Sequence, residues 1–278
     1  MISKTKYMKS IIVPVNFSPC AFNAARYAAG LAMATGSELH LLHVIQIPLA
    51  STEMVMNEYL YDQMADAAES SLQEIKTAVL EQTTGQVAVT THLQTGSVAA
   101  KVEEWYGALK ADLIVLGLTR PTMEKFLAGS AVDSVLHLRH PLLVVPEHAE
   151  YQPFHRIVLA CDANDVQGGI RHSLPLLQEL QERFGAAVEV ITVDTGKVIS
   201  DEACCYPPEG ADSLSVLHPS RRYLHQQNVE EGLEEYLHND PAELAVVFPK
   251  RHSMLEFHQS HSRRLARHAA TPVLSLPE

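Results

Sequence analysis

Ala111-Asp112-Leu113-Ile114-Val115-Leu116 is answered by Ala242-Glu243-Leu244-Ala245-Val246-Val247, and the same offset of 131 residues carries Arg120, Met123, Phe126 and Pro141 onto Arg251, Met254, Phe257 and Pro272 without a gap. An internal repeat fixes the architecture before any local reading does. Further towards the N-terminus, Lys9-Ser10-Ile11-Ile12-Val13-Pro14-Val15-Asn16 has a counterpart in His155-Arg156-Ile157-Val158-Leu159-Ala160-Cys161-Asp162. Each begins on a basic or polar residue, runs through apolar ones and ends on an amide or carboxylate. Short apolar runs bounded by turn residues mark strands buried on both faces, as in a parallel sheet covered by helices. In the first half such runs span 11–15, 39–45, 87–93, 113–116 and 142–145.

Helical stretches separate these runs. Ser18-Pro19 stands where an N-cap and a first-turn proline belong, ahead of an alanine- and leucine-rich segment 21–35 that stops at Gly36. Segment 53–81 is long and amphipathic, 97–109 follows Gly96, and a fourth helix is expected over 130–140, ended by Pro141. Alternation of this kind predicts an α/β fold with right-handed crossovers: two tandem doubly wound parallel five-stranded sheets flanked by helices. The second half repeats the order with helices near 166–184, 229–238 and 262–270. Its stretch 195–215, holding Cys204-Cys205-Tyr206-Pro207-Pro208-Glu209-Gly210, reads as a loop. The expected domains are 1–148 and 153–278, joined through the polar, proline-flanked 146–153.

Composition narrows the function classes. Hydrophobic residues make up 46% of 278, enough for two cores, yet no run approaches the roughly 20 apolar residues of a membrane span. The opening Met-Ile-Ser-Lys-Thr-Lys-Tyr leads into a strand rather than a signal-peptide core, so a cytoplasmic location without membrane association is expected. Lys plus Arg number 21 against 33 Asp plus Glu, a net charge of −12. Both halves are acidic, and the basic residues gather only at Arg221-Arg222, Lys250-Arg251 and Arg263-Arg264 with Arg267, which argues against nucleic acid as a partner. Cys20, Cys161, Cys204 and Cys205 show no CxxC spacing, so neither a zinc site nor a disulfide framework is expected. Nor does the chain contain a GxSxG elbow, an HExxH pair or a GxxxxGK[ST] loop.

Ligands of open α/β sheets sit at the carboxyl ends of the strands near the topological switch point. One loop there looks equipped: Gly117-Leu118-Thr119-Arg120 after the fourth strand, then Gly129-Ser130-Ala131 opening a helix. Glycine permits close backbone approach to a phosphate, and the amides of a helix start favour an anion. Other candidates read as structural. His258 and His261, among His252 and His268, have a metal-like spacing without a third ligand and read as solvated. Cys204-Cys205 reads as an incidental vicinal dithiol. Met54, Met56, Tyr59, Tyr61 and Met64 read as a helix face packed on its sheet. No metal ligands and no catalytic residues are assigned.

Pro14-Val15-Asn16-Phe17-Ser18, the Gly117 loop leading to Gly129-Ser130, and His140-Pro141-Leu142-Leu143-Val144-Val145-Pro146 together resemble a universal stress protein domain, and through the repeat most of the second half does too. The resemblance implies an adenine nucleotide alpha hydrolase-like, Rossmann-like fold and a non-catalytic stress-response or regulatory role. It also implies a site for ATP or AMP in the first domain, with magnesium accompanying ATP. Pro14, Asn16 and Val44 would then face base and ribose, with Gly117, Thr119, Arg120, Gly129, Ser130 and Ala131 around the phosphates. Departures from the family pattern are Arg120 at the second loop glycine, an eight-residue spacer (121–128) where nine is usual, and Asn16 where an aspartate is usual. Arg120 would either pair with a phosphate or occupy its place. The second half keeps Asp162, read as a strand-end cap. It replaces the glycine loop by Phe248-Pro249-Lys250-Arg251-His252 and Gly-Ser by Ser260-His261-Ser262, so no phosphate loop is expected there. The family also implies pairing of the two domains through 142–145 and 273–276 about a pseudo-twofold axis, and a further homodimer is conceivable. A nucleotide-independent protein-interaction scaffold is the alternative, and a weak ATPase a third reading.

Overall fold

A computed structural model describes residues 8–46, 58–118, 131–160, 173–194, 213–226, 229–248 and 271–277. These fall into two compact units. One holds Met8–Arg139 with Glu147–Tyr151, and the other holds His140–Pro146 with the chain from Gln152 onward.

In the first unit the chain runs β1 (Ser10–Pro14), α1 (Pro19–Thr35), β2 (Glu38–Ile45), α2 (Glu58–Gln82), β3 (Val89–Thr95), α3 (Val98–Leu109), β4 (Leu113–Leu118) and α4 (Ala131–Leu136). The strands lie in the order β3-β2-β1-β4, with β1 parallel to both β2 and β4 and β2 parallel to β3. Successive crossovers lead from β1 out to β3, and the next returns past β1 to β4, so the switch point falls between β1 and β4. β1 is buried throughout and β4 for five of its six residues, as continuous apolar runs require.

The ends of α1 follow the expected chemistry. The Ser18 hydroxyl accepts from Ala21 N, Pro19 fills the first turn, and Gly36 at φ 70° closes the helix. Two expected elements differ. β3 covers Val89–Thr95 rather than 87–93, because Gln94 and Thr95 keep pairing with Val44 and Ile45 on a half-exposed edge that tolerates polar residues. α4 ends at Leu136, not at residue 140: His137 N and Leu138 N bond to Ser134 O and Val135 O, the tighter i to i+3 pattern in which helices often finish. The α2 residues Tyr59 and Met64, expected against the sheet, are exposed, as is Leu60. Tyr61 does face the sheet, its hydroxyl 2.9 Å from that of Thr95 in β3. Segment 147–151 straps across α1. The Asn23 amide donates to Ala149 O at 2.9 Å, and the Tyr151 ring meets Tyr27 edge-on beside Gly30, where a Cβ would lie 2.3 Å from the Tyr151 ring.

The second unit contains β5 (Leu142–Pro146), β6 (Arg156–Ala160), α5 (Leu174–Phe184), β7 (Ala187–Asp194), β8 (Ser220–His225), α6 (Val229–Asn239), β9 (Leu244–Val247) and β10 (Val273–Ser275). Its strand order is β5-β10-β9-β6-β7-β8. All neighbours are parallel except β5 and β10, which pair antiparallel, Val144 opposite Val273 and Leu142 opposite Ser275. These are the two strand segments that the family resemblance brings together. β8, with the sequence SRRYLH, carries too little apolar residue to be legible as a strand.

The repeat is visible in one hydrogen-bonding device. The Asp112 carboxylate accepts from Lys9 N (2.6 Å) and Ser10 N (3.1 Å) at the start of β1. Glu243 accepts from His155 N (3.1 Å) and Arg156 N (2.8 Å) at the start of β6. Each carboxylate accepts from two successive amides at the start of its neighbouring strand, the same device in both units. Beside Glu243, Glu189 of β7 binds Arg156, Tyr236 and Arg222, and the two guanidinium groups lie over the Tyr236 ring at 5.4 and 5.2 Å. Burial alone would raise the Glu189 carboxyl, but hydrogen bonds from Arg156 and Tyr236 and the two cations hold it below its ordinary value.

Candidate functional site

The carboxyl ends of β1, β2 and β4 frame a cleft in the first unit, lined by Pro14, Val15 and Asn16, by Leu42, His43, Val44 and Gln46, and by Leu116 and Gly117, with Ala21, Val98 and Val135 from the helices. Its empty volume is about 500 Å³, including solvent at the mouth. The position is the switch point at which such sheets bind ligands. Its walls are mainly apolar, with Asn16, His43 and Gln46 as the polar side chains.

Four of the residues named from the sequence meet here: Pro14, Asn16, Val44 and Gly117. Ala131 opens α4. Thr119, Arg120, Gly129 and Ser130 lie outside the described residues, as do Cys161, Asp162, Cys204, Cys205, the histidines from 252 to 268, Met54, Met56 and the helix expected at 262–270.

Local geometry explains several of these residues. The Asn16 Oδ1 accepts from Ser18 N at 3.2 Å and from the Ser18 hydroxyl at 2.5 Å, an Asx turn that delivers the chain into α1. An amide performs this role as a carboxylate would, and it keeps an Nδ2 donor. Gly117 sits where β4 crosses the first turn of α1. A Cβ there would lie 2.1 Å from the Cys20 carbonyl oxygen, so glycine is required by backbone packing alone. In the second unit Phe248, buried to 4% exposure, stands at the position corresponding to Gly117.

His43 was not singled out by sequence. Its Nδ1 lies 2.7 Å from Val15 O, and its ring stacks on Phe17 with centroids 4.2 Å apart. Phe17 holds φ 61°, a left-handed conformation rare for a bulky residue. A second histidine group, also missed, lies between β2 and β3. His40 Nδ1 is 3.1 Å from His92 Nε2, and the His92 ring lies over Trp105 of α3 at 4.0 Å. Burial lowers both imidazoles below the ordinary 6.5, more than Glu38 raises His40, and His40 adds to the lowering of His92. No linear pattern connects residues 40, 92 and 105.

The Universal stress protein family model matches residues 8–146, half of the chain and all of the elements that build the cleft. The chain belongs to the universal stress protein family. It is 32% identical over 146 residues to Universal stress protein G of Shigella flexneri, across 49% of this chain and 98% of that protein. It is 28% identical over 145 residues to a universal stress protein of Methanocaldococcus jannaschii, across 49% of this chain and 81% of the relative. A universal stress protein from Archaeoglobus fulgidus superposes with a TM-score of 0.73 at 17% identity, over 96% of this chain and 98% of its own, which extends the family fold to both halves. No helix of the described residues is long and apolar enough to cross a membrane.

Proposed function

We propose that this universal stress protein is a non-catalytic regulatory module whose first half binds an adenine nucleotide, ATP or AMP, in the cleft at the ends of β1, β2 and β4. The supporting observation is the convergence of Pro14, Asn16, Val44 and Gly117 on one apolar-walled cleft at the switch point. Leu42, Val44, Val98, Leu116 and Val135 suit a planar base, while Asn16 and Gln46 offer polar atoms towards a ribose. Gly129, Ser130 and Ala131 would hold the phosphates with amides at the start of α4, and Thr119 and Arg120 would flank them. No carboxylate lines the described cleft, so magnesium would arrive on the phosphates of ATP rather than on the protein. Binding would favour one arrangement of the loops, which a protein partner reads. The second half, with Phe248 for glycine, serves as scaffold.

Calorimetric titration with ATP, ADP and AMP, with and without magnesium, tests this. The expected result is one site per chain, lost in Gly129→Asp, which sets a carboxylate against the phosphates. Absence of heat, with no nucleotide released on denaturing the purified protein, would refute it. The nucleotide-independent scaffold is favoured instead by the exposed Leu60 and Met64, one helical turn apart on α2.

A further inference from the structure

We propose that His40 and His92 form a proton-operated switch on α3: a second proton on the pair expels His92 from its contact with Trp105 and loosens the helix that walls one side of the cleft. The switch stands whether or not the cleft holds a nucleotide. His40 lies on β2 and His92 on β3, and the strand register, His40 opposite Thr90 and Leu42 opposite His92, sets both side chains on one face of the sheet. α3 meets that face through Trp105, whose ring centroid lies 4.0 Å from that of His92. The Trp105 Nε1 is buried with no hydrogen-bond partner among the described residues, so no polar contact pins the indole there. Val98, two turns earlier on the same side of α3, lines the cleft.

Proton counting gives the order of events. His40 Nδ1 and His92 Nε2 are 3.1 Å apart, a hydrogen bond that needs one proton between them. A first added proton is accommodated: His40 Nε2 faces Glu38 Oε2 at 4.0 Å, so a charged His40 still donates from Nδ1 to a neutral His92. A second proton sets N–H against N–H, ends the hydrogen bond and leaves two cations in contact. Their repulsion outweighs what the indole face returns to an imidazolium. His40 is 6% exposed and enclosed between β1 and β3, whereas His92 is half-buried on the edge strand, so His92 is the one that leaves. The remaining charges on the packed elements are on α3: Lys101, one turn before Trp105 and paired with Glu104 at 2.7 Å, and the exposed Glu103. β1 carries no ionisable side chain, and β3 none besides His92. Burial, and for His92 also the charge on His40, lowers both imidazoles, which sets the transition on the acid side of pH 6.5.

Trp105 is the chain's single tryptophan, so its emission reads the switch directly. Between about pH 7.5 and pH 5 the emission maximum is expected to move to longer wavelength and quenching by acrylamide to rise, with far-UV circular dichroism unchanged. Amide exchange across α3 should speed up over the same range. His92→Phe keeps an aromatic ring over Trp105 without a titrating group, and its emission should stay constant. Imidazole nitrogen shifts of the wild type supply a second reading: His40 charges first, and His92 charges together with the emission change. Emission that does not move, a shift that survives with the same midpoint in His92→Phe, or a change that accompanies loss of circular dichroism would each overturn the proposal. So would a His92 that charges while Trp105 emission stays fixed. The wild-type measurements decide the matter even if the variant does not fold.

Discussion

Gly117→Ala separates the packing role of this glycine from any role towards a ligand. The added Cβ would sit 2.1 Å from Cys20 O and 2.5 Å from Cys20 C, where contacts under 3.0 Å essentially never occur. The obstructing atoms are backbone in the first turn of α1, so no rotamer change relieves them, and helix and strand must separate by about 0.9 Å. Overpacking of this kind costs about 1–3 kcal/mol, and two backbones in contact place it at the upper end. Alanine restricts the unfolded chain and returns about 0.4–1 kcal/mol. The net loss of about 2 kcal/mol corresponds to a fall in melting temperature of roughly 4–8 °C. Calorimetric melting measures it, with Gly107→Ala as control. Gly107 lies within α3 with nothing within 4 Å of its added Cβ, so that variant should gain about 0.5–1 kcal/mol. If Gly117→Ala melts with or above the wild type, β4 and α1 do not approach as described.

Three further outcomes follow from the same geometry. Gly30→Ala drives the Tyr151 ring from α1, and amide hydrogen exchange across 147–151 should rise; unchanged protection would show that the strap does not depend on this contact. His40 and His92 have folded pKa values below 6.5, so the unfolded chain takes up protons first, and stability held above about pH 6.5 is lost as pH falls through the folded values. Urea midpoints between about pH 7 and pH 5 should fall less in His40→Leu/His92→Leu than in wild type, and equal slopes would contradict the pair's role. Glu189→Ala leaves Arg156 and Tyr236 without their shared acceptor and should destabilise by about 1–3 kcal/mol in urea denaturation, whereas a loss below about 0.5 kcal/mol would mark the cluster as solvent-compensated.

The α/β class was legible because buried parallel strands declare themselves as apolar runs, and because Asp112 and Glu243, in register across the repeat, hold corresponding amides. Strands on the sheet edges were less so. β3 was shifted and β8 missed, since an edge strand is exposed on one side and need not be apolar. The cleft's glycine was found for a partial reason: Gly117 suggested phosphate contact, and the structure adds Cys20, which no sequence pattern points to. Gly30 was not singled out at all, its partner Tyr151 lying in the polar stretch between the halves. His43 stayed hidden because a histidine in an apolar strand has no signature until the strand beside it supplies the Val15 carbonyl.

The central claim is that an adenine nucleotide occupies the cleft between β1, β2 and β4, and amide chemical shifts of the isotope-labelled protein with and without ATP test it directly. Shifts concentrated at Val15, Asn16, His43, Val44, Gln46 and Gly117, and absent around Phe248, are the result predicted. A spectrum unchanged at saturating ATP, or changes confined to the second unit, would contradict it.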